Sequence, residues 1–478
     1  MNPTKEKVLN HPIFKVIREV SSLENVQSYV VGGFVRDLYM GIKSSDIDIT
    51  VLDDGPMFAQ KVAEKLRVKK VTVFKTYGTA HFCYKNINVE FVGARKESYN
   101  TNSRNPQVTS ASLEEDLKRR DLTINAIAIS LSDSNFGETV DLFDGIKHIE
   151  KEIIQTPLDP DRTFQDDPLR MLRTIRFATR FDFKINIECL KSIKENSHRL
   201  SIITKERVAE EINKMLMTSK PSRALNLLYN CNLLPHILPE LISLAGVETI
   251  NGKSHKDNFI HTLEVVDNIA LKSDNLWLRW AALLHDIAKP PTKKFDTNHG
   301  WTFHGHEDLG SKMVPKIFKN LKLPLDHKMK YVQKLVRLHL RPIALVRGTV
   351  SDSAVRRLLH DAGDDIDDLM TLCNADITSK NEFKVRKYKK NFELVNNKLQ
   401  AVEQKDKVRN FQPPVSGELI MKTFNLSPCK EIGQIKAIIK ESILDGKINN
   451  NEDEAFELML SIGQKMGLIV SKGSSIKN

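Results

Sequence analysis

Two carboxylates set two residues apart, Asp46 and Asp48 in D-I-D-I-T-V, are the first residues whose spacing suggests chemistry. In a strand, residues i and i+2 share a face, so both carboxylates point one way while Ile47, Ile49 and Val51 point into a core. Upstream, the apolar run Tyr29–Val31 reads as a buried strand that breaks on Gly32-Gly33, and Phe34 to Met40 reads as a helix. A glycine pair between strand and helix lets backbone approach a ligand closely, with helix-terminal N–H groups aimed at negative charge. Paired carboxylates beside such a turn make a site for Mg²⁺ and a nucleoside triphosphate. A second concentration lies far downstream, where eight of the 14 histidines fall between His255 and His339. They come as H-T-L-E-V-V (His261), A-L-L-H-D-I-A-K-P (His285, Asp286), F-H-G-H-E-D-L-G (His304, His306) and L-V-R-L-H-L-R-P (His339), followed by Asp376 in N-A-D-I. Adjacent His and Asp on a helix diverge by about 100°, yet both reach one metal if other helices supply the remaining ligands.

Three further segments extend the first site. In I-N-V-E-F-V, alternation places Asn88 and Glu90 on one face, so Glu90 is a candidate third carboxylate; a surface strand glutamate is the equal alternative. In R-R-D-L-T-I-N-A-I-A, Asp121 can cap a helix that begins there, with Arg120 just outside it. In D-D-P-L-R-M-L-R-T-I-R-F, Asp167 before Pro168 suits a helix start. Arg170, Arg173 and Arg176 then recur every three residues, a pattern that an ordinary amphipathic helix with a solvated basic face also gives.

Taken in order, Gly32-Gly33, Arg36-Asp37 and Asp46-x-Asp48 resemble the signature of the polymerase-beta-like nucleotidyltransferases. The closer resemblance is to the branch of CCA-adding tRNA nucleotidyltransferases and bacterial poly(A) polymerases, and R-R-D-x-T-x-N and D-P-L-R-x-L-R-x-x-R-F match it too. The resemblance implies that Asp46, Asp48 and Glu90 are catalytic and that Asp46 and Asp48 hold Mg²⁺. It implies that Gly32, Gly33, Arg36, Asp37 and Arg120 bind the nucleotide triphosphate, while Asp121 and Asn125 shape its pocket. It implies that Asp167 and Arg170 select the base, with Arg173 and Arg176 meeting phosphates or buttressing the pair. The chemistry suits that role: a carboxylate accepts from the exocyclic amine of cytosine or adenine, and uracil and guanine present a carbonyl there. The histidine series resembles the HD phosphohydrolase fold, which implies a ligand set of His261, His285, Asp286 and Asp376. His306 and His339 match positions that extend the set to a second metal, the ion being a divalent transition metal or Mg²⁺.

Around these sites the chain is expected to be α+β. A nucleotidyltransferase head with a small mixed sheet (1–150) is followed only by helices: a neck with the base-selecting motif (151–250), the HD domain (251–385) and a tRNA-binding tail (386–478). Within the head, the Ser-, Asn- and Thr-rich stretch from Lys96 to Leu113 reads as a mobile loop. In the neck, Arg207, Glu210 and Glu211 read as one-turn ion-pair braces. Lys and Arg outnumber Asp and Glu by 72 to 61, and this +11 surplus favours a polyanionic partner. No stretch approaches the ~18 apolar residues of a membrane span, and five scattered cysteines without a C-x-x-C pair suit a reducing cytoplasm. The expected function is Mg²⁺-dependent addition of C, C and A to tRNA from CTP and ATP. The alternatives are a poly(A) polymerase or A-adding enzyme, or an HD metal phosphohydrolase with an RNA-binding head.

Overall fold

The computed structural model describes residues 9–471 apart from 75–77, 101–102, 348–350, 379–381, 407–408 and 410. The terminal K-G-S-S-I-K-N, which its composition predicts to fray, lies outside them. The chain forms two compact units, Met1–Ile242 and Ser243–Asn478.

In the first unit a seven-stranded sheet has the order β3-β4-β5-β2-β1-β8-β9. The strands are β1 (Ser28–Val31), β2 (Asp46–Val51), β3 (Thr72–Phe74), β4 (Thr79–Tyr84), β5 (Ile87–Gly93), β8 (Ile127–Ser130) and β9 (Thr139–Asp141). Only β2 and β5 pair in parallel. One face carries Ile47, Ile49, Val89, Phe82 and Phe91, and it is covered by α1 (Pro12–Glu24) and α3 (Gly55–Lys65) through Ile13, Phe14, Ile17, Phe58 and Val62. Asp54 starts α3 by accepting from the Met57 N–H. The opposite face is covered only at the β1 and β8 end, where Tyr29, Val31 and Ala128 pack against Leu117 of α4 (Leu113–Lys118). Short α2 (Gly33–Tyr39) follows β1 directly.

Two expectations for the head are corrected. The stretch read as a mobile loop is a hairpin, β6 (Arg95–Asn100) and β7 (Ser103–Ser110), paired antiparallel with one register shift. A two-stranded ribbon satisfies its backbone within the pair and needs no apolar alternation, so composition hid it. Asp121 does not cap a helix: a 3₁₀ turn, Thr123–Asn125, leads into central strand β8, whose Ile127–Ile129 run is fully buried.

The neck centres on α7 (Leu169–Phe181), preceded by α6 (Pro160–Asp166) and packed on α9 (Lys205–Leu216). Every residue of α7 from Leu169 to Thr179 is buried except half-buried Arg173. The basic stripe is therefore not a solvated face, and its arginines require internal partners. A two-residue parallel ladder, Ile153–Ile154 with Lys184–Ile185, interrupts what was expected to be all helix.

In the second unit, α11 (Asn258–Ala270), α12 (Leu276–Leu284), α13 (His306–Asn320), α14 (His327–Leu338) and α17 (Ile366–Ala375) build a bundle around Trp280 and Phe318. The intervening α5, α8, α10, α15 and α16 are Gly145–Glu150, Ile187–Glu195, Pro221–Asn230, Leu340–Arg347 and Asp352–Ala362. The expectation of helices alone fails here as well. Two small hairpins are present, Thr249–Ile250 with Lys253–Ser254 and Lys294–Asp296 with Gly300–Thr302. The first turns on Asn251-Gly252, both at positive φ (51° and 72°), the dihedral combination that an Asn-Gly hairpin turn uses. None of the described helices is long and apolar enough to cross a membrane.

Candidate active site and metal centre

The open half of the sheet carries the first site. Asp46 pairs with Asn88 and Asp48 with Glu90 across the parallel β2–β5 ladder, so all four side chains rise from one face. Asn88 donates to Asp46 Oδ1 at 3.0 Å. Burial, and then the neighbouring charge of Asp46, raise the Asp48 pKa against the opposing pull of Arg120 and Arg36. Glu90 is raised by burial and by Asp48. Asp48 and Glu90, raised by burial and by neighbouring negative charge, mark a place that a cation would relieve.

On the β1 side the row meets Gly32 and Arg120. Gly32 has φ 73°, and a Cβ there would lie 2.9 Å from Arg120 Nη1 and 3.4 Å from Asp48 Oδ2, so only glycine leaves that cradle open. Arg120 is held by Asp116 Oδ2 (3.2 Å) and the Asn125 carbonyl (3.4 Å), and its Nε is buried with no hydrogen-bond partner. A guanidinium with a spare buried donor beside two carboxylates suits a phosphate oxygen.

Other predicted residues make their contacts within the fold. Arg36, expected at the triphosphate, is 4% exposed and turned inward. It donates to Asp37 Oδ1 (2.8 Å from Nε) and Asn125 Oδ1 (2.6 Å) and lies against the rings of Phe177 and Phe181. Asp121 joins the same network, accepting from Asn125 Nδ2 (3.0 Å) and from Arg173 Nε (2.7 Å). Burial alone would raise the Asp121 pKa, but Arg173 and Asn125 bring it down to about 2. Arg176 pairs with buried Glu211 at 2.6 Å, so Glu211 braces α7 as well as its own helix, where Lys214 makes the expected one-turn pairs with Glu210 at 2.6 Å and Glu211 at 3.7 Å. Arg170 donates to the Arg119 carbonyl at 2.7 Å, and Asp167 accepts from the Leu169 N–H at 3.1 Å.

The second site is a buried nest within the other unit. His261 comes from α11, His285 and Asp286 from the end of α12, His306 from the start of α13, His339 from the end of α14 and Asp376 from the end of α17. His261 Nε2 lies 2.8 Å from Asp376 Oδ1 and 3.5 Å from Asp286 Oδ2, and His285 Nε2 lies 3.2 Å from the same Asp286 oxygen. The other Asp286 oxygen faces His306 Nε2 at 3.3 Å and His339 Nε2 at 3.9 Å. The geometry gives two ligand groups, His261-His285-Asp286 and Asp286-His306-His339, joined through one carboxylate.

The imidazoles are oriented for ligation. Nδ1 of His285, His306 and His339 faces the carbonyls of Ala282, Phe303 and Val336 at 2.8, 2.7 and 2.7 Å. A carbonyl only accepts, so each Nδ1 carries a proton and Nε2 is the nitrogen turned into the nest. Buried His285 Nε2 has no hydrogen-bond partner. Burial would lower the His285 pKa, yet Asp286 and Asp376 raise it to about 10, a measure of how strongly the nest attracts positive charge. Sequence reasoning missed the seventh participant, Thr378, whose hydroxyl meets His261 Nδ1 at 2.7 Å.

Comparison with known proteins agrees along the chain. Residues 28–155 match the poly(A) polymerase head domain, 182–244 the probable RNA- and SrmB-binding site of polymerase A, and 258–381 the HD domain. The multifunctional CCA protein of Psychromonas ingrahamii is 35% identical over 311 residues, 63% of this chain and 71% of that protein. That of Aromatoleum aromaticum is 32% identical over 348 residues, 69% and 80% of the two chains. The fold matches the Bacillus stearothermophilus CCA-adding enzyme, solved in complex with CTP, with a TM-score of 0.67 at 21% identity over 98% and 99% of the chains. With a nucleotidyltransferase-type acid row on a poly(A) polymerase head and an HD nest later in the sequence, the chain belongs to the family of multifunctional CCA proteins.

Proposed function

We propose that this protein adds C, C and A in turn to the 3′ end of tRNA, from CTP and ATP and without a nucleic-acid template. The observation that carries the reading is the row Asp46, Asp48 and Glu90 beside the open Gly32 turn and the spare Arg120 donor, in a chain of this family. Gly32, Gly33 and Arg120 hold the triphosphate, whereas Arg36 and Asp37 shape the turn from behind. The terminal 3′-oxygen of the tRNA attacks the α-phosphorus in line, the bond to the pyrophosphate oxygen breaks, and pyrophosphate leaves. When bound by Asp46 and Asp48, Mg²⁺ would supply Lewis acidity at the 3′-hydroxyl and charge neutralisation at the leaving group. Asp167 and Arg170 stand where α7 begins and choose the base by its amine edge. Arg173, through Asp121 and Asn125, keeps α7 in register with the Arg120 pocket. The basic helices of residues 386–478 take the tRNA body by shape and charge, and the free cysteines fit work in the cytoplasm.

The test is incubation with tRNA lacking CCA and labelled CTP or ATP. Incorporation of CTP, followed by ATP, is expected. Incorporation of ATP with none of CTP overturns the reading in favour of an A-adding enzyme or poly(A) polymerase.

A second activity is proposed for the HD nest, on the observation that four histidines aim Nε2 at one shared carboxylate. Neutral imidazoles with two aspartates suit one or two divalent transition ions, or Mg²⁺, and phosphoester hydrolysis. Asp286→Ala should remove bound metal and phosphatase activity together; phosphatase activity that survives it lies elsewhere.

A further inference from the structure

The acid row continues past the carboxylates. His81 pairs with Glu90, which pairs with Asp48, so the three side chains stand in line across β4, β5 and β2. Phe74 on edge strand β3 shares this face and stacks on His81, with centroids 5.6 Å apart and planes at 19°. Both rings are open to water, Phe74 being 47% exposed. Edge strands are ordinarily blunted by charge or proline. An open phenylalanine stacked on a histidine beside an acid row instead resembles the aromatic surfaces on which bases stack.

What covers the pair follows from the direction of the reaction. The groups fitted to the triphosphate, Gly32 and Arg120, lie at the β1 end of the row. In-line displacement places the attacking and leaving oxygens on opposite sides of the phosphorus. With the pyrophosphate leaving at the Arg120 end, the 3′-oxygen approaches from the Glu90 end, and the nucleoside that carries it lies over β5 and β4. We propose that Phe74 and His81 form a stacking platform for the last base of the acceptor RNA, an inference that rests on the nucleotidyl-transfer reading above. Stacking tolerates any base, and a platform for the growing end must accept whatever base ends the tRNA, then C, then C.

The experiment uses the full chain and a hairpin RNA copying an acceptor stem, whose single-stranded 3′ end terminates in 2-aminopurine. Without nucleotides, binding to the unsubstituted protein should quench the probe. Phe74→Ala and His81→Ala should abolish the quench, and Phe74→Trp should restore it. In steady-state addition, Phe74→Ala should raise the KM for the RNA about tenfold, the low end of base–aromatic stacking, and leave the KM for CTP within about twofold, the ordinary spread for a group the nucleotide does not touch. The proposal is overturned if the unsubstituted protein does not quench, if the double variant quenches as well as the parent, or if the loss falls on the KM for CTP. A protein that quenches the probe but transfers nothing from CTP or ATP keeps the platform and removes the reaction instead.

Discussion

The two sites of this chain solve the problem of concentrated negative charge in opposite ways. On the head, Asp46 and Glu90 are exposed on an open sheet face, and their raised partner Asp48 is crowded by like charge. In the HD nest, His285 and His339 are fully buried and Asp286 is 1% exposed, yet each carboxylate faces imidazoles. Burying charge without partners is expensive, so the nest must be complete within the fold, whereas the sheet face can wait for cations that arrive with a nucleotide. The head face is therefore left open for what binds it, whereas the nest already sets its carboxylates against imidazoles within the fold.

The sharpest way to break that comparison is to remove one head carboxylate. Asp46→Ala or Asp48→Ala should lower nucleotide addition by about a thousandfold or more, on the order of 4 kcal/mol, and leave the metal content of the HD nest unchanged. Loss of metal from the nest in these variants, or addition that survives them, would show that the two sites are not separable as drawn.

The next effect concerns whether the neck carries the head site or belongs to it. Arg176→Ala leaves buried Glu211 with only the longer Lys214 contact at 3.7 Å, which should destabilise the first unit toward the low end of about 3–5 kcal/mol in denaturant titration. The paired change Arg176→Met with Glu211→Leu should recover most of that loss. Recovered stability with addition still lost would place Arg176 at the nucleotide.

Asp121 gives a smaller, pH-dependent effect. Its folded pKa of about 2 lies below the ordinary 3.8, so its contribution is present above the ordinary value and is lost as pH falls through the folded one. The shift is worth about 2 kcal/mol at pH 7 and about half of that at pH 3. Asp121→Asn should therefore cost most near neutrality, with the gap to the parent narrowing as pH is lowered. A gap that does not narrow would mean that the Arg173 contact, rather than the charge, is what matters.

Both sites were legible in the sequence to the extent that their geometry is local. The Asp46–Asp48 spacing fixes a shared face within a single strand, and the Gly32-Gly33 turn lies within the same short stretch. Glu90 was readable as a strand residue, but its position beside Asp48 depends on the β2–β5 register, which no single segment encodes. The same is true of His81 and Phe74. Arg36 and Arg176 are buried in a way that spacing does not carry: their partners Asn125 and Glu211 come from distant segments, and α7, buried nearly all round, has the spacing of an amphipathic helix. The Asn251-Gly252 turn did carry a readable hairpin signal that the helical expectation overrode.

The nest's residues could be read together because the HD series is distinctive, but their orientation could not, and that is where the smallest test applies. Three of the four histidines have Nδ1 fixed by a carbonyl three residues earlier, while His261 meets the Thr378 hydroxyl instead. A hydroxyl can donate as well as accept, so His261 alone is free to carry its proton on Nε2, toward Asp376 at 2.8 Å, or on Nδ1 with Nε2 open to a metal. Thr378→Val keeps the shape and removes that option. Partners of metal-bound histidines are typically worth about 10–100-fold in affinity, and the expected loss in Mn²⁺ or Ni²⁺ binding by calorimetry lies at the tenfold end, since only one of four ligands is affected. Thr378→Ser should restore the affinity, and neither variant should change nucleotide addition. Unchanged metal binding in Thr378→Val would mean that packing alone orients His261, and the nest would then owe its readiness to the three carbonyl-locked histidines.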